Sequence, residues 1–330
     1  MFSRDVLTID LEREADEICK GLREIVVKRL MRRGVVVAIS GGIDSSCTAG
    51  LAVRAFGPKK VFGLLLPERD SSGASVRLGK QLAEHLGIAY AVEDIQPTLA
   101  AIGCYERYDA AIRRVIPEFG EGWKSKIVLP SDLLDSDRMN FYRLVVEDPA
   151  GERRTERLPV QAYLEIVAAT NYKQRIRKTM EYYHADRLNY AVAGTPNRLE
   201  YDQGFFVKNG DGAADVKPIA HLYKTQVYAM ARHLGLPDVI CSAQPTTDTY
   251  SLPQGQDEFY YALPFDRMDL ALWAHNAGLP AAKLAGMIDV TEEQAEFVYR
   301  DIDNKRRTTA PLHWPALLLE DVDGPTTKPE

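Results

Sequence analysis

A short loop of mostly glycine and serine residues, 40–46, carries the residue types that bind phosphate groups. The loop follows the apolar run 35–39 and precedes a segment of small residues that ends at Phe56. Adjacent glycines between a buried strand and the start of a helix let backbone N–H groups approach an anion, and the helix dipole favours negative charge there. We therefore expect phosphate to be bound by Ser40, Gly41, Gly42, Ile43, Asp44, Ser45 and Ser46.

Asp44 is unusual in such a loop, because a carboxylate repels a neighbouring phosphate unless a cation lies between them. Its presence predicts a bound Mg²⁺, a cation that prefers carboxylate and phosphate oxygens. The loop has neither the lysine of a G-x-x-x-x-G-K-[ST] phosphate loop nor the G-x-G-x-x-G pattern of a dinucleotide fold. We therefore expect it to hold a leaving pyrophosphate rather than a γ-phosphate in transfer.

The segments around this loop alternate between predicted strands and predicted helices. Apolar and β-branched runs predict strands at 35–39, 60–66, 88–92 and 188–193. Helical spacing predicts an amphipathic helix over 10–32 with Asp10 as its N-cap, a second helix ending at Phe56 and a third over 75–86. This alternation is typical of an α/β fold with a doubly wound, Rossmann-like parallel sheet flanked by helices.

A different pattern interrupts the alternation over residues 117–159. Two runs, 141–146 and 155–158, flank the turn-prone residues 148–151, which predicts a β-hairpin insertion. We expect the hairpin to protrude near the mouth of the site or at the edge of a dimer. We predict one domain over residues 1–320 that contains this insertion, followed by a solvated tail over 321–330.

The composition narrows the classes of function. The 330 residues include 41 basic and 47 acidic side chains, a formal charge of −6, which disfavours a pervasive nucleic-acid-binding surface. No apolar run approaches the roughly 18 residues that span a bilayer, and the acidic N-terminus is unlike a signal peptide. The four cysteines are scattered without a C-x-x-C pair. We expect a cytoplasmic protein with no nucleic-acid or membrane partner.

Two sets of motifs resemble known enzymes. The loop S-G-G-x-D-S after a strand resembles that of the N-type ATP pyrophosphatases, which cleave ATP between the α- and β-phosphates. Enzymes that form asparagine, GMP, lysidine, thiolated tRNA and NAD carry relatives of it. The run G-F-F-x-K-x-G-D-G-x-x-D at 204–215 is more specific and resembles the NAD synthetases. The same resemblance continues at 170–177, 194–200, 224–226, 245–248, 257–258 and 305–306.

Resemblance to the ammonia-dependent NAD synthetase family implies an adenine nucleotide alpha-hydrolase-like fold and a ligase reaction. Such enzymes amidate deamido-NAD with ammonia through an acyl-adenylate, use ATP as co-substrate with Mg²⁺, and release NAD, AMP and pyrophosphate. Members of the family are homodimers with the dinucleotide at the interface. Because the first predicted strand begins at residue 35, we expect no glutaminase domain before it, and ammonia would be free or come from a separate donor.

The resemblance also implies roles for individual residues. The catalytic residues are Asp44, Lys208, Asp211 and Lys224. ATP or its pyrophosphate is bound by residues 40–46, Thr195, Lys224 and Thr246. Deamido-NAD is bound by Asn171, Arg175, Lys208, Asp215, Lys305 and Arg306. The metal is held by Asp44 and Glu200, and Asp211 or Asp215 accepts a proton from ammonium.

Three alternatives remain open. The first is a related enzyme that amidates another acid, such as a sugar or secondary-metabolite carboxylate; it is motivated by the stretch 196–199, which departs from the family's usual sequence. A tRNA-modifying relative would need a basic surface or an RNA-binding module, which the acidic balance disfavours. A non-catalytic AMP or ATP sensor on the same fold would release no pyrophosphate.

Overall fold

The computed structural model describes residues 4–129, 142–244, 249–255, 259–261 and 263–320. Its helices are α1 (Leu11–Arg23), α2 (Ile43–Phe56), α3 (Gly73–Leu86), α4 (Gln96–Ala101), α5 (Cys104–Arg113), α6 (Val160–Leu188), α7 (Arg198–Gln203), α8 (Lys224–His233), α9 (Asp238–Cys241), α10 (Phe265–Asn276), α11 (Ala281–Ile288) and α12 (Glu292–His313). Its strands are β1 (Val35–Ala38), β2 (Val61–Leu65), β3 (Ala89–Val92), β4 (Lys124–Val128), β5 (Arg143–Glu147), β6 (Arg153–Arg157) and β7 (Ala191–Ala193).

Four parallel strands form the central sheet in the order β3-β2-β1-β7. Val35 of β1 pairs with Val61 of β2 on one side and with Ala191 of β7 on the other. Every strand predicted for this sheet is present, although β7 is shorter than the run 188–193. The sheet with its flanking helices confirms the predicted α/β fold.

The central strand β1 is buried on both faces. Val35 and Val37 pack into a core shared with α1, α2 and α8, whereas Val36 packs on the opposite face with residues of α5 and α6. Successive side chains of a strand point to opposite faces, so a strand covered on both sides needs an unbroken apolar run. This burial fixes the carboxyl end of β1, where the glycine-serine loop begins.

The predicted N-terminal helix is present with one local difference. Asp10 caps α1 by accepting a hydrogen bond from the Arg13 N–H at 3.1 Å, as predicted. Beyond Arg23 the helix continues as π-helix over Glu24–Arg29. In this last part the Leu30 N–H donates to the Ile25 carbonyl, five residues back, which is the π-helical spacing. Hydrophobic periodicity alone does not distinguish these hydrogen-bonding patterns.

The insertion folds as a separate antiparallel sheet in the order β4-β5-β6. The predicted hairpin is confirmed for β5 and β6, and in its turn the Asp148 carboxylate accepts from the Ala150 and Glu152 N–H groups. Strand β4 is an additional element that the sequence analysis did not predict. Its five residues include two buried ones, Ser125 and Ile127, so its apolar pattern is weak. The stretch 130–141 lies outside the described residues.

One face of the inserted sheet is buried and its last strand is exposed. Ile127, Leu144 and Val146 pack with residues of α5 and α6 in a core of their own. All of β6 is exposed, which agrees with a solvated outer edge. The sheet is therefore an attached layer rather than part of the central sheet. The predicted tail, 321–330, lies outside the described residues.

Two further sequence expectations concern the cysteines and the membrane. Cys19, Cys47, Cys104 and Cys241 are free and buried in the structure. Among the helices in the described ranges, none has the length and apolar character that a membrane span requires.

Candidate active site

A cavity of about 830 Å³ opens at the carboxyl ends of the parallel strands. Its wall combines the loop residues 40–45, the loop after β2, one face of α6 and residues 193–196. This crevice, outside the carboxyl ends of strands in a doubly wound sheet, is where such folds bind ligands. The predicted phosphate loop therefore faces this cavity.

Glycine and serine residues fix the shape of the phosphate loop. Gly41 has a φ of +80°, and a Cβ there would lie 2.9 Å from the Ser75 carbonyl oxygen, so the position requires glycine. Gly42 is the N-cap of α2, and its carbonyl accepts hydrogen bonds from the Ser45 and Ser46 hydroxyls at 3.0 and 2.8 Å. Ser46 is fully buried behind the loop and does not line the cavity. Its hydroxyl therefore supports the loop from within.

Asp44 and Lys224 meet at the end of this loop. The Lys224 ammonium donates to Asp44 Oδ2, and the Lys224 side chain is only 2% exposed. Burial lowers the pKa of Lys224, but the nearby Asp44 and Glu200 carboxylates outweigh it, so the pKa lies above its usual value. Lys224 therefore stays charged inside the cavity wall, where a fixed positive charge can interact with phosphate.

Asn197 joins the two predicted metal ligands. Its side-chain N–H donates to Asp44 Oδ1 at 3.0 Å, and its backbone N–H donates to Glu200 Oε2 at 3.1 Å. Asn197 also caps α7, because its side-chain oxygen accepts from the Leu199 and Glu200 N–H groups. Asn197 was not among the predicted site residues. Its signal was the capping box, an asparagine followed three residues later by glutamate.

The donor set fits a magnesium ion held together with substrate phosphates. Asp44 and Glu200 both line the cavity beside Lys224. Within the described ranges, no group of three or more His, Cys, Asp or Glu side chains could hold a metal ion. Mg²⁺ is commonly bound by one or two carboxylates plus phosphate oxygens rather than by a cage of protein ligands. Two carboxylates at the phosphate loop match that pattern.

Asp269 of α10 supports the start of α8, where Lys224 is the first residue. Its carboxylate accepts the Lys224 and Thr225 N–H groups at 3.1 and 2.7 Å. The side chain is fully buried, and this burial raises the pKa of Asp269 to about 7. A raised folded-state pKa means that this group's contribution to stability is greatest at low pH and is lost as the pH rises towards 7.

We expect Asp269→Asn to destabilise the fold by about 1–3 kcal/mol, because the amide keeps one acceptor oxygen and turns an N–H group towards a second donor. Thermal unfolding at pH 8 should show a fall in Tm of roughly 2–8 °C. The control is Asp238→Asn, an exposed carboxylate in the first turn of α9. Equal Tm values for the two variants would contradict the supporting role.

One face of α6 forms a long wall of the cavity. Tyr163, Val167, Asn171 and Arg175 line it at intervals of four residues, the spacing that places side chains on one helix face. With the last lining residue, Glu181, this wall spans about 27 Å at 1.5 Å per residue. Asn171 and Arg175, predicted to bind the dinucleotide, are therefore in the cavity, as are Thr195 and Lys208.

A buried ion pair on α6 was missed by sequence reasoning. Lys178 donates to Glu181 at 2.7 Å, both side chains are nearly inaccessible, and both residues line the cavity. Burial raises the pKa of the Glu181 carboxyl, and so does the negative charge of Asp211. Charged residues three apart on a helix usually indicate a solvated face. Their burial follows from the tertiary packing around α6, for which the sequence offers no signal.

Asp211 also lies in the cavity wall. Its carboxylate accepts the Val207 N–H at 2.8 Å, and burial raises its pKa above the usual range. Lys208 donates to the carbonyl oxygens of Pro311 and Trp314 at 2.8 and 3.1 Å. The C-terminal end of α12 therefore holds the Lys208 ammonium at the cavity edge.

Besides Ser46, four predicted site residues are not among the described residues that line the cavity. Asp215 is exposed and accepts hydrogen bonds from the Tyr182 hydroxyl and the Val192 N–H. On α12, Lys305 pairs with Asp301, and Arg306 forms two hydrogen bonds with Asp202. The fourth, Thr246, lies outside the described residues, as does the rest of 245–248.

The chain is similar over most of its length to known proteins. A family model described as NAD synthase matches residues 14–115 and 148–308. The chain is 56% identical to the NH(3)-dependent NAD(+) synthetase of Rhizobium meliloti over 98% of this chain and 96% of that one. It is 33% identical to the protein of the same name from Thermotoga maritima, over 85% of this chain and 92% of that one.

Solved structures show the same fold at low sequence identity. An NH3-dependent NAD synthetase from Campylobacter jejuni has a TM-score of 0.61 and 22% identity, covering 94% of this chain and 100% of that one. An NMN synthetase from Francisella tularensis has a TM-score of 0.63 and 21% identity, covering 94% and 99%. The family model and the relatives above 30% identity show more than the fold: the chain belongs to the NAD synthase family.

Proposed function

We propose that the chain is an ammonia-dependent NAD synthetase. It amidates the nicotinate carboxylate of deamido-NAD with ammonia, and it converts ATP to AMP and pyrophosphate. The observation that carries this proposal is the ion pair between Asp44 and Lys224, which lies in the cavity wall at the end of the phosphate loop. The names of relatives at 56% identity support the choice of substrates.

In the first step, a carboxylate oxygen of deamido-NAD attacks the α-phosphorus of ATP, and pyrophosphate leaves. The substrate is its own nucleophile, so the protein contributes positioning and charge. Residues 40–45 receive the pyrophosphate at the N-terminus of α2, where the helix dipole favours negative charge. Lys224 donates hydrogen bonds to the α-phosphate as its negative charge grows.

The Asp44 and Glu200 carboxylates would hold Mg²⁺ with the phosphates of ATP, and Thr195 lies on the same wall. A bound magnesium ion neutralises phosphate charge and makes pyrophosphate a better leaving group. Lys224 already balances part of the charge of these carboxylates. The two carboxylates thus keep their orientation when the nucleotide is absent, because Asn197 donates hydrogen bonds to both.

In the second step, ammonia attacks the carbonyl carbon of the adenylate, and AMP leaves with the oxygen that came from the carboxylate. Ammonium must first lose a proton. We propose Asp211 as the acceptor, because burial raises its pKa and so makes the carboxylate a stronger base near neutral pH. Ammonia enters from solution or from a separate donor, and the use of ATP suits a cytoplasmic enzyme.

Deamido-NAD is proposed to extend along α6, where Asn171 and Arg175 line the cavity, with Lys208 at its edge. Asp215 is exposed and does not line this cavity, so its predicted contact with the dinucleotide would be made only if a second copy brought its dinucleotide there. We propose a homodimer of that kind. Lys305 and Arg306 would have to leave their present carboxylate partners to reach the dinucleotide, and their binding roles stay predictions.

The unusual stretch 196–199 has a structural explanation. Asn197 positions Asp44 and Glu200, so the altered sequence does not by itself require a different acid substrate. The assay that tests the proposal supplies ATP, Mg²⁺, ammonium and deamido-NAD and measures NAD and AMP. We expect one NAD and one AMP per ATP consumed. The proposal is refuted if no NAD forms while nicotinate mononucleotide or another acid drives AMP release.

A further inference from the structure

Two of the three strands of the inserted sheet lie outside the part of the chain that matches the family model, whereas β6 lies inside it. Residues 116–147, between the two matching stretches, contain β4 and β5. The chain returns to this sheet much later, at residues 249–255, which follow α9 and run beside β4. We call residues 249–255 the cavity strand segment. Its contacts with β4 and with the cavity suggest what the insertion does.

Ser125 of β4 holds the cavity strand segment through its backbone. The Ser125 N–H donates to the Ser251 hydroxyl at 2.8 Å, and the Ser125 carbonyl accepts from the Leu252 N–H at 3.2 Å. Ser125 is fully buried and Leu252 is 2% exposed. Buried backbone groups of this kind are costly to leave unpaired, so the contact is part of the folded structure rather than an incidental surface contact.

Two more residues of β4 extend the attachment along the segment. The Lys126 ammonium donates to the Pro253 carbonyl at 3.1 Å, and the Gln254 side-chain amide donates to the Ile127 carbonyl. Gln254 is 2% exposed. Three consecutive residues of β4 therefore hold residues 251–254.

The other end of the segment forms part of the cavity wall. Thr249 and Tyr250 line the cavity. The Thr249 carbonyl accepts from the buried Lys173 ammonium at 2.9 Å, and Lys173 also pairs with Glu68 and Asp70 in the loop after β2. Neighbouring residues of that loop line the cavity next to the phosphate loop. Thr249 is thus attached to the wall on the ATP side of the proposed site.

Tyr250 is held by packing rather than by charge. The residue is 5% exposed, and its ring lies 6.5 Å from the ring of Tyr108 and 5.7 Å from that of Phe259, measured between centroids. Tyr108 in turn shares a hydrogen bond with the Ser125 hydroxyl at 2.8 Å. The inserted sheet, α5 and the cavity strand segment therefore form one packed unit.

We propose that β4 of the inserted sheet is a positioning element for ATP: it holds the cavity strand segment so that Thr249 and Tyr250 already stand on the cavity wall before ATP binds. This inference rests on the proposed function. A preformed wall saves the free energy of ordering the segment during binding, so loss of the attachment should raise the KM for ATP more than it lowers kcat. β4 acts through the segment and touches no substrate.

Ser251→Ala tests the inference, because it removes the partner of the buried Ser125 N–H while leaving the cavity lining unchanged. We expect the KM for ATP and the Kd of a non-hydrolysable ATP analogue to rise about tenfold. The value of kcat should stay within about threefold of wild type, and amide hydrogen exchange over 249–255 should become faster. Thr155→Ala on the exposed strand β6 of the same sheet is the matched control and should leave all four quantities unchanged.

If Ser251→Ala unfolds, Lys126→Met keeps the aliphatic stem, removes the ammonium that contacts Pro253, and should raise the KM for ATP about two- to threefold. An unchanged KM and Kd with faster exchange would overturn the inference, since the segment would then be attached without serving ATP. A loss confined to kcat would also overturn it.

Failure of the wild-type enzyme to form NAD would instead refute the proposed function. In that case, binding of the ATP analogue to wild type and to Ser251→Ala would still show whether the segment contributes to ATP affinity.

Discussion

Asp44→Asn is expected to lower turnover by at least about 10³-fold while the chain stays folded. The substitution keeps the shape of the side chain but removes the charge that pairs with Lys224 and that would bind Mg²⁺. The fold should persist because Asn197 and Glu200 remain in place and Glu200 still contributes negative charge near Lys224. The steady-state rate of AMP formation measures turnover, and thermal unfolding measures the stability of the fold.

The matched control for Asp44 is Asp238→Asn, which neutralises an exposed carboxylate in the first turn of another helix. It should leave both turnover and Tm near wild type. Activity of Asp44→Asn within twofold of wild type, with normal unfolding, would show that Asp44 has no part in the chemistry.

Lys224→Met is expected to slow adenylate formation by roughly 10²–10³-fold, the scale of losing one donor to a developing negative charge. ATP binding should weaken much less, because residues 40–45 and the dipole of α2 still hold the phosphates. The Lys224 side chain is buried and fixed by Asp44, so it is already oriented for the α-phosphate as charge accumulates there. The rate of adenylate formation should therefore fall more than the affinity for ATP.

Single-turnover measurement of AMP formation, compared with equilibrium ATP binding, tests the Lys224 prediction. The control is Lys20→Met, an exposed lysine in the last turn of α1, which should change neither quantity. Equal losses of rate and affinity in Lys224→Met would mean that the ammonium only binds ground-state ATP. Asp269→Asn offers a further comparison, since it should disturb the start of α8 without removing the charge.

The central sheet and the phosphate loop were predictable because their local sequence is sufficient. Val35 to Val37 must be buried on both faces, and a strand buried in this way places Gly41 and Gly42 at its carboxyl end. The N-cap of α1 at Asp10 was predictable for the same reason, because the local sequence is sufficient. Where short-range pattern and long-range packing agree, sequence reasoning gives both the element and its place in the fold.

Features that depend on distant contacts were not predictable from the sequence. The buried Lys178–Glu181 pair looks like an ordinary solvated pair on a helix, and β4 has too few apolar residues to be recognised as a strand. Asn197 carried a visible capping signal, but its contact with Asp44 joins residues 153 positions apart. Tertiary packing decides each of these cases, and a single sequence does not report it.

Deamido-NAD labelled with ¹⁸O in its nicotinate carboxylate gives the most direct test of the proposed chemistry. If a carboxylate oxygen attacks the α-phosphorus and ammonia then displaces AMP, every AMP must carry one labelled oxygen and every NAD amide must keep the other. Mass spectrometry of the two products after one turnover should show this division of the label. Unlabelled AMP, or ADP and phosphate in place of AMP and pyrophosphate, would contradict the account.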